Sequence, residues 1–321
     1  MKTTAMILAA SAVLLAAGCK TTEPKPPEPV KWKEQSAYMA KVRDPRIYGF
    51  NIYQTPGGGI EYRDGCRLHP NQIAELPMKA KEPLRPVVML RGNFGLDSPV
   101  LFDFTAAAGW LEFDLAQELG AIPLNERTAQ LVKMPGEEFA GCLSTVPVMR
   151  FKQLHVERPL VYVRMANGPI GTLARGIEEP ELKGVLGWDL LKNFGQIHLD
   201  YAGKRTVIST VEAAYVPEPS LLIARVPLVK HAGVCAVRGL VDGKPEIILI
   251  DPAGDFEVAT AGAQAVSSVQ LDPGLGFSSP AASSSPGGLR IGAQLLKNFK
   301  ITVCPKEGAI YFEKPETAKD S

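Results

Sequence analysis

Short apolar runs, many of them rich in valine, recur along the chain and are bounded by glycine, proline or asparagine. Examples are RPVVMLRG at 85–92, LVYVRM at 160–165, ARVPLVK at 224–230 and CAVRGLV at 235–241. Such runs favour strands, because β-branched side chains pack well on a pleated surface. Helical stretches are few and short, as in FDLAQELG at 113–120. The pattern predicts an all-β chain with few short helices.

The chain repeats itself. GVLGWDLLKNF at 184–194 matches LRIGAQLLKNF at 289–299, and each copy is followed by a strand, a turn and a strand. Upstream of each copy, at 99–113 and 246–260, an apolar strand ends in an aspartate. Because an internal repeat of this kind indicates duplicated units, we predict two similar lobes, at 46–215 and 216–315, followed by a tail at 316–321.

The N-terminus has the pattern of an export signal. Lys2 precedes an apolar run from Ala5 to Ala17, which is shorter than the roughly 20 residues that span a bilayer. The string Leu15-Ala16-Ala17-Gly18-Cys19 resembles the lipobox of bacterial lipoproteins. The resemblance implies that residues 1–18 are removed and that Cys19 is lipidated, with palmitate among its acyl chains. The alternative is an ordinary cleaved signal with a free cysteine.

Residues 19–45 are predicted to be a tether. Four prolines lie between Pro24 and Pro29, and such a segment prefers extended polyproline II. A lipid anchor places the chain in the cell envelope, facing the periplasm or the exterior, without a spanning helix. Residue 20 is lysine rather than aspartate, which by resemblance to the sorting rules of enteric bacteria implies the outer membrane of a Gram-negative organism.

Charge and cysteine content narrow the function classes. The net charge is +1 and no basic stripe is present, so nucleic acid is not expected as a partner. Export permits disulfides, and of three connectivities we favour Cys66 with Cys142 and Cys235 with Cys304. No C-x-x-C or H-E-x-x-H motif occurs, so neither a metal nor another cofactor is expected.

The repeated motifs resemble the pepsin and retropepsin family of aspartic peptidases. Val185-Leu186-Gly187 and Arg290-Ile291-Gly292 are similar to the apolar-apolar-glycine turn found late in each lobe of that family. The resemblance covers about 85 to 315. It implies a bilobal pair of β-barrels in which Asp103 and Asp251, one from each lobe, form the catalytic dyad.

The triplets at these aspartates differ from the family's Asp-Thr-Gly. They are Asp103-Phe104-Thr105 and Asp251-Pro252-Ala253, so the residue beside each aspartate lacks the hydroxyl that in the family bonds across to the other lobe. Thr105 is the candidate to supply a hydroxyl from one position further on, and Gly254 the candidate to supply the missing backbone freedom. Trp110, after the first turn, lines a cleft or packs in the core.

The resemblance implies peptide-bond hydrolysis by the aspartate pair. This chemistry needs the two carboxyls a few ångström apart, where they cannot both be ionised and share a proton. One then draws a proton from water while the other donates to the substrate carbonyl. The expected partners are an extracytoplasmic protein or peptide substrate and the membrane, reached through the anchor. Two alternatives stay open: an inactive pepsin-like module that binds peptides, glycans or an envelope partner, and a structural envelope protein.

Overall fold

A computed structural model describes residues 27–54, 60–79, 84–93, 95–124, 129–134, 137–168, 182–285 and 287–315. The signal segment, Cys19, the start of the predicted tether and the tail at 316–321 lie outside the described residues. Within the described part, no helix is both long enough and apolar enough to cross a membrane.

Strands dominate the described part of the chain. Those of the first half are β1 (Glu28–Pro29), β2 (Phe50–Gln54), β3 (Ile60–Asp64), β4 (Arg67–Leu68), β5 (Ile73–Pro77), β6 (Val87–Arg91), β7 (Asp97–Phe102), β8 (Trp110–Glu112), β9 (Ile122–Pro123), β10 (Gln130–Met134), β11 (Glu137–Thr145), β12 (Val148–Phe151), β13 (Leu154–Glu157), β14 (Leu160–Arg164), β15 (Ala166–Asn167), β16 (Gly184–Leu186), β17 (Gln196–Asp200) and β18 (Arg205–Ser209). Those of the second half are β19 (Leu222–His231), β20 (Val234–Val241), β21 (Lys244–Asp251), β22 (Val258–Thr260), β23 (Ser268–Asp272), β24 (Leu275–Ser278), β25 (Ala282–Ser284), β26 (Arg290–Gly292), β27 (Lys300–Cys304) and β28 (Ala309–Glu313). The helices are α1 (Trp32–Met39), α2 (Phe113–Glu118), α3 (Trp188–Leu191) and α4 (Ala293–Leu296), with short 3-10 turns at Pro45–Tyr48 and Ala261–Ala263. The predicted all-β, two-lobed architecture is confirmed.

Two large sheets hold most of these strands. The first has the order β10-β11-β14-β8-β16-β7-β6-β12-β13-β4, with β9 beside β11. The second has the order β25-β22-β26-β21-β20-β19-β28-β27-β17-β18-β5, with β23 beside β20 and β24 beside β23. Strands β1 and β15 form one small separate sheet, and β2 and β3 form another.

The sequence repeat is also a structural repeat. In the first half, β16 lies parallel to β7 and antiparallel to β8. In the second half, β26 lies parallel to β21 and antiparallel to β22 in the same way. The glycine motif therefore returns beside the aspartate strand in both lobes, and this arrangement brings each aspartate turn against a glycine turn.

The two lobes share a sheet. Strands β5, β17 and β18 come from the first half of the chain but lie in the second sheet, where β17 pairs antiparallel with β27. Alternation along β17 turns Ile197 and Leu199 into the core, while His198 lies on the other face and contacts the Thr302 hydroxyl at 2.9 Å. Hydrogen bonds therefore join the lobes across their boundary.

Residues 27–45 do not behave as the predicted spacer. The backbone N–H of Val30 donates to Met165, and the next turn forms α1. Tyr38 is buried against Phe113, and its hydroxyl donates to Ser144 Oγ at 2.8 Å. The reason is local composition, because beyond Pro29 the segment carries apolar residues that can be buried. Residues 30–39 therefore pack against the first lobe instead of standing apart from it.

The favoured disulfides are not formed, and the four described cysteines are free thiols. Cys235 lies on β20 and Cys304 on β27, three strands apart in the second sheet. With about 4.8 Å between neighbouring strands, that separation far exceeds the roughly 7 Å that a disulfide can bridge. Cys66 precedes β4 at one end of the first sheet, and Cys142 lies on β11 towards the other end.

Candidate active site

Asp103 and Asp251 occupy equivalent places at the ends of two strands. Asp103 directly follows β7, and its N–H donates to Leu186 O at 3.0 Å, while Asp251 ends β21 beside Gly292. Their backbones are held by the neighbouring strands, so the side chains are fixed at the turns. Both aspartates are buried, with 5% and 3% of their surface exposed.

The two motif glycines let the backbone approach these turns closely. Trp188 N–H, next to Gly187, donates to Ala106 O at 2.7 Å, and Ala293 N–H, next to Gly292, donates to Gly254 O at 2.8 Å. A Cβ atom on Gly187 would lie 2.5 Å from a backbone carbon, and one on Gly292 would lie 2.2 Å from a backbone oxygen. Any side chain at either position would push the glycine turn away from the aspartate turn.

Three donors converge on one oxygen of Asp103. Oδ1 accepts hydrogen bonds from Thr105 N–H at 2.7 Å, from the Thr105 hydroxyl at 2.8 Å and from Ala106 N–H at 3.1 Å. An oxygen that already accepts three hydrogen bonds is a poor place for a proton. A proton carried by the aspartate pair therefore belongs on Asp103 Oδ2 or on Asp251.

Arg290 links the two aspartates. Its Nη1 lies 3.3 Å from Asp251 Oδ2 and donates to the Thr105 hydroxyl at 3.2 Å. Because that hydroxyl donates in turn to Asp103, a continuous chain of contacts runs from one carboxyl to the other. Burial and, after it, the negative charge of Asp103 raise the pKa of Asp251 to about 7, while Arg290 opposes the shift.

Two further hydrogen bonds cross between the lobes at the aspartate turns. Arg85 Nη1, from the first lobe, donates to Ala253 O at 3.2 Å. Cys235 N–H, from the second lobe, donates to Phe104 O at 2.9 Å. Each aspartate turn is thus held by its own lobe and by the opposite one.

The structure places the other sequence-predicted residues as follows. Thr105 supplies a hydroxyl to the aspartate of its own turn and accepts a hydrogen bond from Arg290 of the other lobe. Gly254 is not left-handed; it provides space, because a Cβ there would lie 2.9 Å from Asp251 Oδ2. Trp110 is buried 5.4 Å from the Phe139 ring, which is core packing rather than cleft lining. Cys19 lies outside the described residues.

Sequence reasoning did not identify Arg85 and Arg290 as parts of the site. One signal was available for Arg290: the repeat aligns it with Val185, so a charged residue replaces an apolar one in an otherwise matching motif. Arg85 carried no comparable signal within its own run.

Within the described residues, no group of three or more His, Cys, Asp and Glu side chains is arranged to hold a metal ion. His198, on β17 of the second sheet, contacts Thr302 and Gln196. Comparison with known proteins adds no relative, because no family model and no curated protein matches the sequence.

Proposed function

We propose that this chain is an aspartic-type peptidase whose Asp103 and Asp251 hydrolyse extracytoplasmic protein or peptide substrates. The observation that carries the proposal is the placement of two buried aspartates, one from each copy of the repeat, in one network of contacts at the lobe boundary. The resemblance of both glycine motifs to the pepsin and retropepsin family supports the same reaction. No cofactor is required for it.

The contacts suggest different roles for the two carboxyls. Asp103, with its three donors, acts as the base, and Asp251, whose pKa is raised, carries the proton. Asp103 takes a proton from a water molecule as the water oxygen bonds to the peptide carbonyl carbon. Asp251 gives its proton to the carbonyl oxygen. The tetrahedral intermediate then collapses: Asp103 gives the proton it took from water to the amide nitrogen, the C–N bond breaks, and Asp251 takes back its proton from the hydroxyl as the new carboxyl group forms.

A second function is favoured by one observation. Arg290 forms an ion pair with Asp251, and that contact competes with proton sharing between the carboxyls. In this second function the site captures a peptide, a glycan or an envelope partner without cutting it. An extended peptide would bind by pairing its backbone with an exposed strand edge.

The location belongs to the same proposal. A lipid on Cys19 would hold the protein in the cell envelope, and the resemblance to enteric sorting rules favours the outer membrane. Residues 20–26 would then be the whole spacer between the lipid and the folded chain, because the packed structure begins close to Glu28. A peptidase held this way would act near the membrane surface.

The test is cleavage of an unfolded protein by the full chain in detergent, from pH 3 to 8. Asp103→Asn and Asp251→Asn should each lower the cleavage rate by at least about a hundredfold, because each removes an acid–base group. Asp97→Asn, an exposed aspartate on the strand that leads to Asp103, should leave the rate unchanged. An inert parent, or asparagine variants that cut as well as the parent, would contradict the peptidase. An inert parent that still binds an extended peptide would favour the second function.

A further inference from the structure

Two buried arginines reach across the lobe boundary in opposite directions. Arg290, on β26 of the second lobe, donates to Thr105 in the first. Arg85, just before β6 of the first lobe, donates to the carbonyl of Ala253 in the second. Thr105 and Ala253 both lie two residues after the aspartate of their turn. The two contacts therefore reach equivalent positions of the two aspartate turns, although the arginines themselves occupy different positions of the repeat.

We infer that Arg85 and Arg290 are positioning residues that form a reciprocal clamp on the two aspartate turns, and that Arg290 also sets the protonation of the pair. The inference rests on the proposed function, because it assigns the two arginines a role in that site. The clamp takes the place of the side-chain hydroxyls that Phe104 and Pro252 lack.

Neither arginine is repeated at the equivalent position of the other lobe. Arg290 aligns with Val185, as the glycine motifs show. The strand register pairs Val87 with Leu101, two residues before Asp103, and Ala236 with Leu249, two residues before Asp251. Arg85 thus corresponds to Val234. Each lobe has an arginine where the other has a buried valine.

A proline explains why one arm of the clamp uses a side chain. Cys235 N–H donates across the lobes to Phe104 O. The equivalent residue of the first lobe is Pro86, which has no N–H to donate. The guanidinium of Arg85 supplies a donor to the opposite turn instead, one residue further along, at Ala253. The turn of Asp103 therefore accepts a hydrogen bond from a backbone N–H of the second lobe, and the turn of Asp251 accepts one from a guanidinium of the first lobe.

Charges of both signs act on Asp251. The groups that act on it are Asp103 and Arg290, with Arg85 facing both Asp251 and the exposed Asp255. Burial and, after it, the charge of Asp251 raise the pKa of the Tyr201 phenol, so Tyr201 stays neutral. Two cations thus face two buried carboxyls. Removing one cation leaves negative charge uncompensated, which favours proton binding by the pair.

The first experiment is a carbon-13 NMR titration of the aspartate carboxyls in the full chain, with the Asp251 signal assigned through Asp251→Asn. Arg290→Val introduces the residue that stands at this position in the other lobe. It should raise the pH at which Asp251 loses its proton by about 1 to 3 units. Arg290→Lys keeps the charge and should titrate close to the parent. Arg238→Val, an exposed strand arginine of the same lobe, is the control and should change nothing.

Cleavage measures the clamp itself. Arg290→Lys should cut at least about tenfold more slowly than the parent, because a single ammonium does not reproduce the planar fork of a guanidinium. Arg85→Val should also slow cleavage but shift the Asp251 titration less, because Arg85 binds a carbonyl rather than the carboxylate. Thr105→Val, which keeps the ion pair and removes the hydroxyl, serves if Arg290→Val does not fold, and it too should slow cleavage.

The outcomes separate the two proposals. A parent that folds and titrates but does not cut overturns the peptidase, and the titration then decides the electrostatic role of Arg290. An unchanged titration in Arg290→Val overturns that role. Cleavage at the parent rate by Arg290→Lys, Thr105→Val and Arg85→Val overturns the clamp.

Discussion

Four charged side chains, Arg85, Asp103, Asp251 and Arg290, are buried where the lobes meet, and each has less than a tenth of its surface exposed. Burying a charge is costly unless the charge is paired and hydrogen-bonded. Here Arg290 pairs with Asp251, Asp103 accepts hydrogen bonds from its own turn, and Arg85 donates to the carbonyl of Ala253. The chemistry of the site is therefore set by the protonation of a few residues.

Asp251 should make stability fall as the pH rises. Its pKa is raised from 3.8 to about 7, so between these values the folded state holds a proton that the unfolded state has released. Each pH unit in that range costs roughly 1.4 kcal/mol of the free energy of unfolding. The advantage of Asp251→Asn over the parent should therefore grow by up to about 4 kcal/mol between pH 4 and pH 7.5.

Urea titrations of the parent and of Asp251→Asn across this range measure that difference. Taking the difference between the two proteins removes the contribution of Asp189, whose burial also raises its pKa to about 7, and of His198, whose burial lowers its pKa to about 4. Asp97→Asn, at an exposed position on the strand that leads to Asp103, is the matched control. A flat difference for Asp251→Asn would show that Asp251 ionises normally.

At the scale of elements, α1 is an integral part of the first lobe. The helix has eight residues, which is too short to be stable alone in water. Its stability comes from Tyr38 and Met39, which are buried, while Trp32 is 79% exposed. One face of α1 therefore anchors the entry of the chain to the lobe, close to the segment that leads to the proposed lipid.

Tyr38 variants test this docking. Tyr38→Ala should lower the free energy of unfolding by about 3 to 5 kcal/mol, as for other large buried aromatic residues. Tyr38→Phe should cost only about 1 kcal/mol, since it loses the hydrogen bond to Ser144 and keeps the packing. Trp32→Ala should be nearly neutral. Thermal or urea unfolding gives these values, and a neutral Tyr38→Ala would mean that the segment is a spacer after all.

At the scale of the whole molecule, the lobes are held together by a shared sheet as well as by the site. Strand β17 pairs with β27 over four residue pairs, from Ile197 with Val303 to Asp200 with Lys300. The aspartate turns lie at the same boundary and are crossed by hydrogen bonds from both sides. The site therefore depends on a correct joining of the lobes.

The shared sheet leads us to expect that both lobes unfold together. Calorimetry should show a single unfolding transition. Leu199→Ala, on the joining strand, should lower the free energy of unfolding by about 2 to 5 kcal/mol, and the transition should stay single. Val216→Ala, an 83% exposed residue between the halves, should leave the transition where it is. Two separate transitions in the parent would show that the lobes fold independently.

The sequence by itself determined the strands, the duplication, the two aspartates and the glycine turns. These features are local: alternating apolar positions specify a strand face, and a repeated motif such as Gly187 and Gly292 is visible without any structure. The prediction of a spacer over residues 19–45 does not hold beyond Pro29. It rested on the prolines and gave too little weight to the apolar residues that follow them, some of which are buried in the folded chain.

Only the tertiary structure decided how the aspartates are held. The contacts of Arg290 with Thr105 and of Arg85 with Ala253 join residues 185 and 168 positions apart, and no periodicity relates such distant residues. The raised pKa of Asp251 depends on burial and on Asp103, which the fold alone brings together. The free cysteines follow from strand order in the same way. Local patterns specify elements, while charge pairing and register across the lobes come from the way those elements pack.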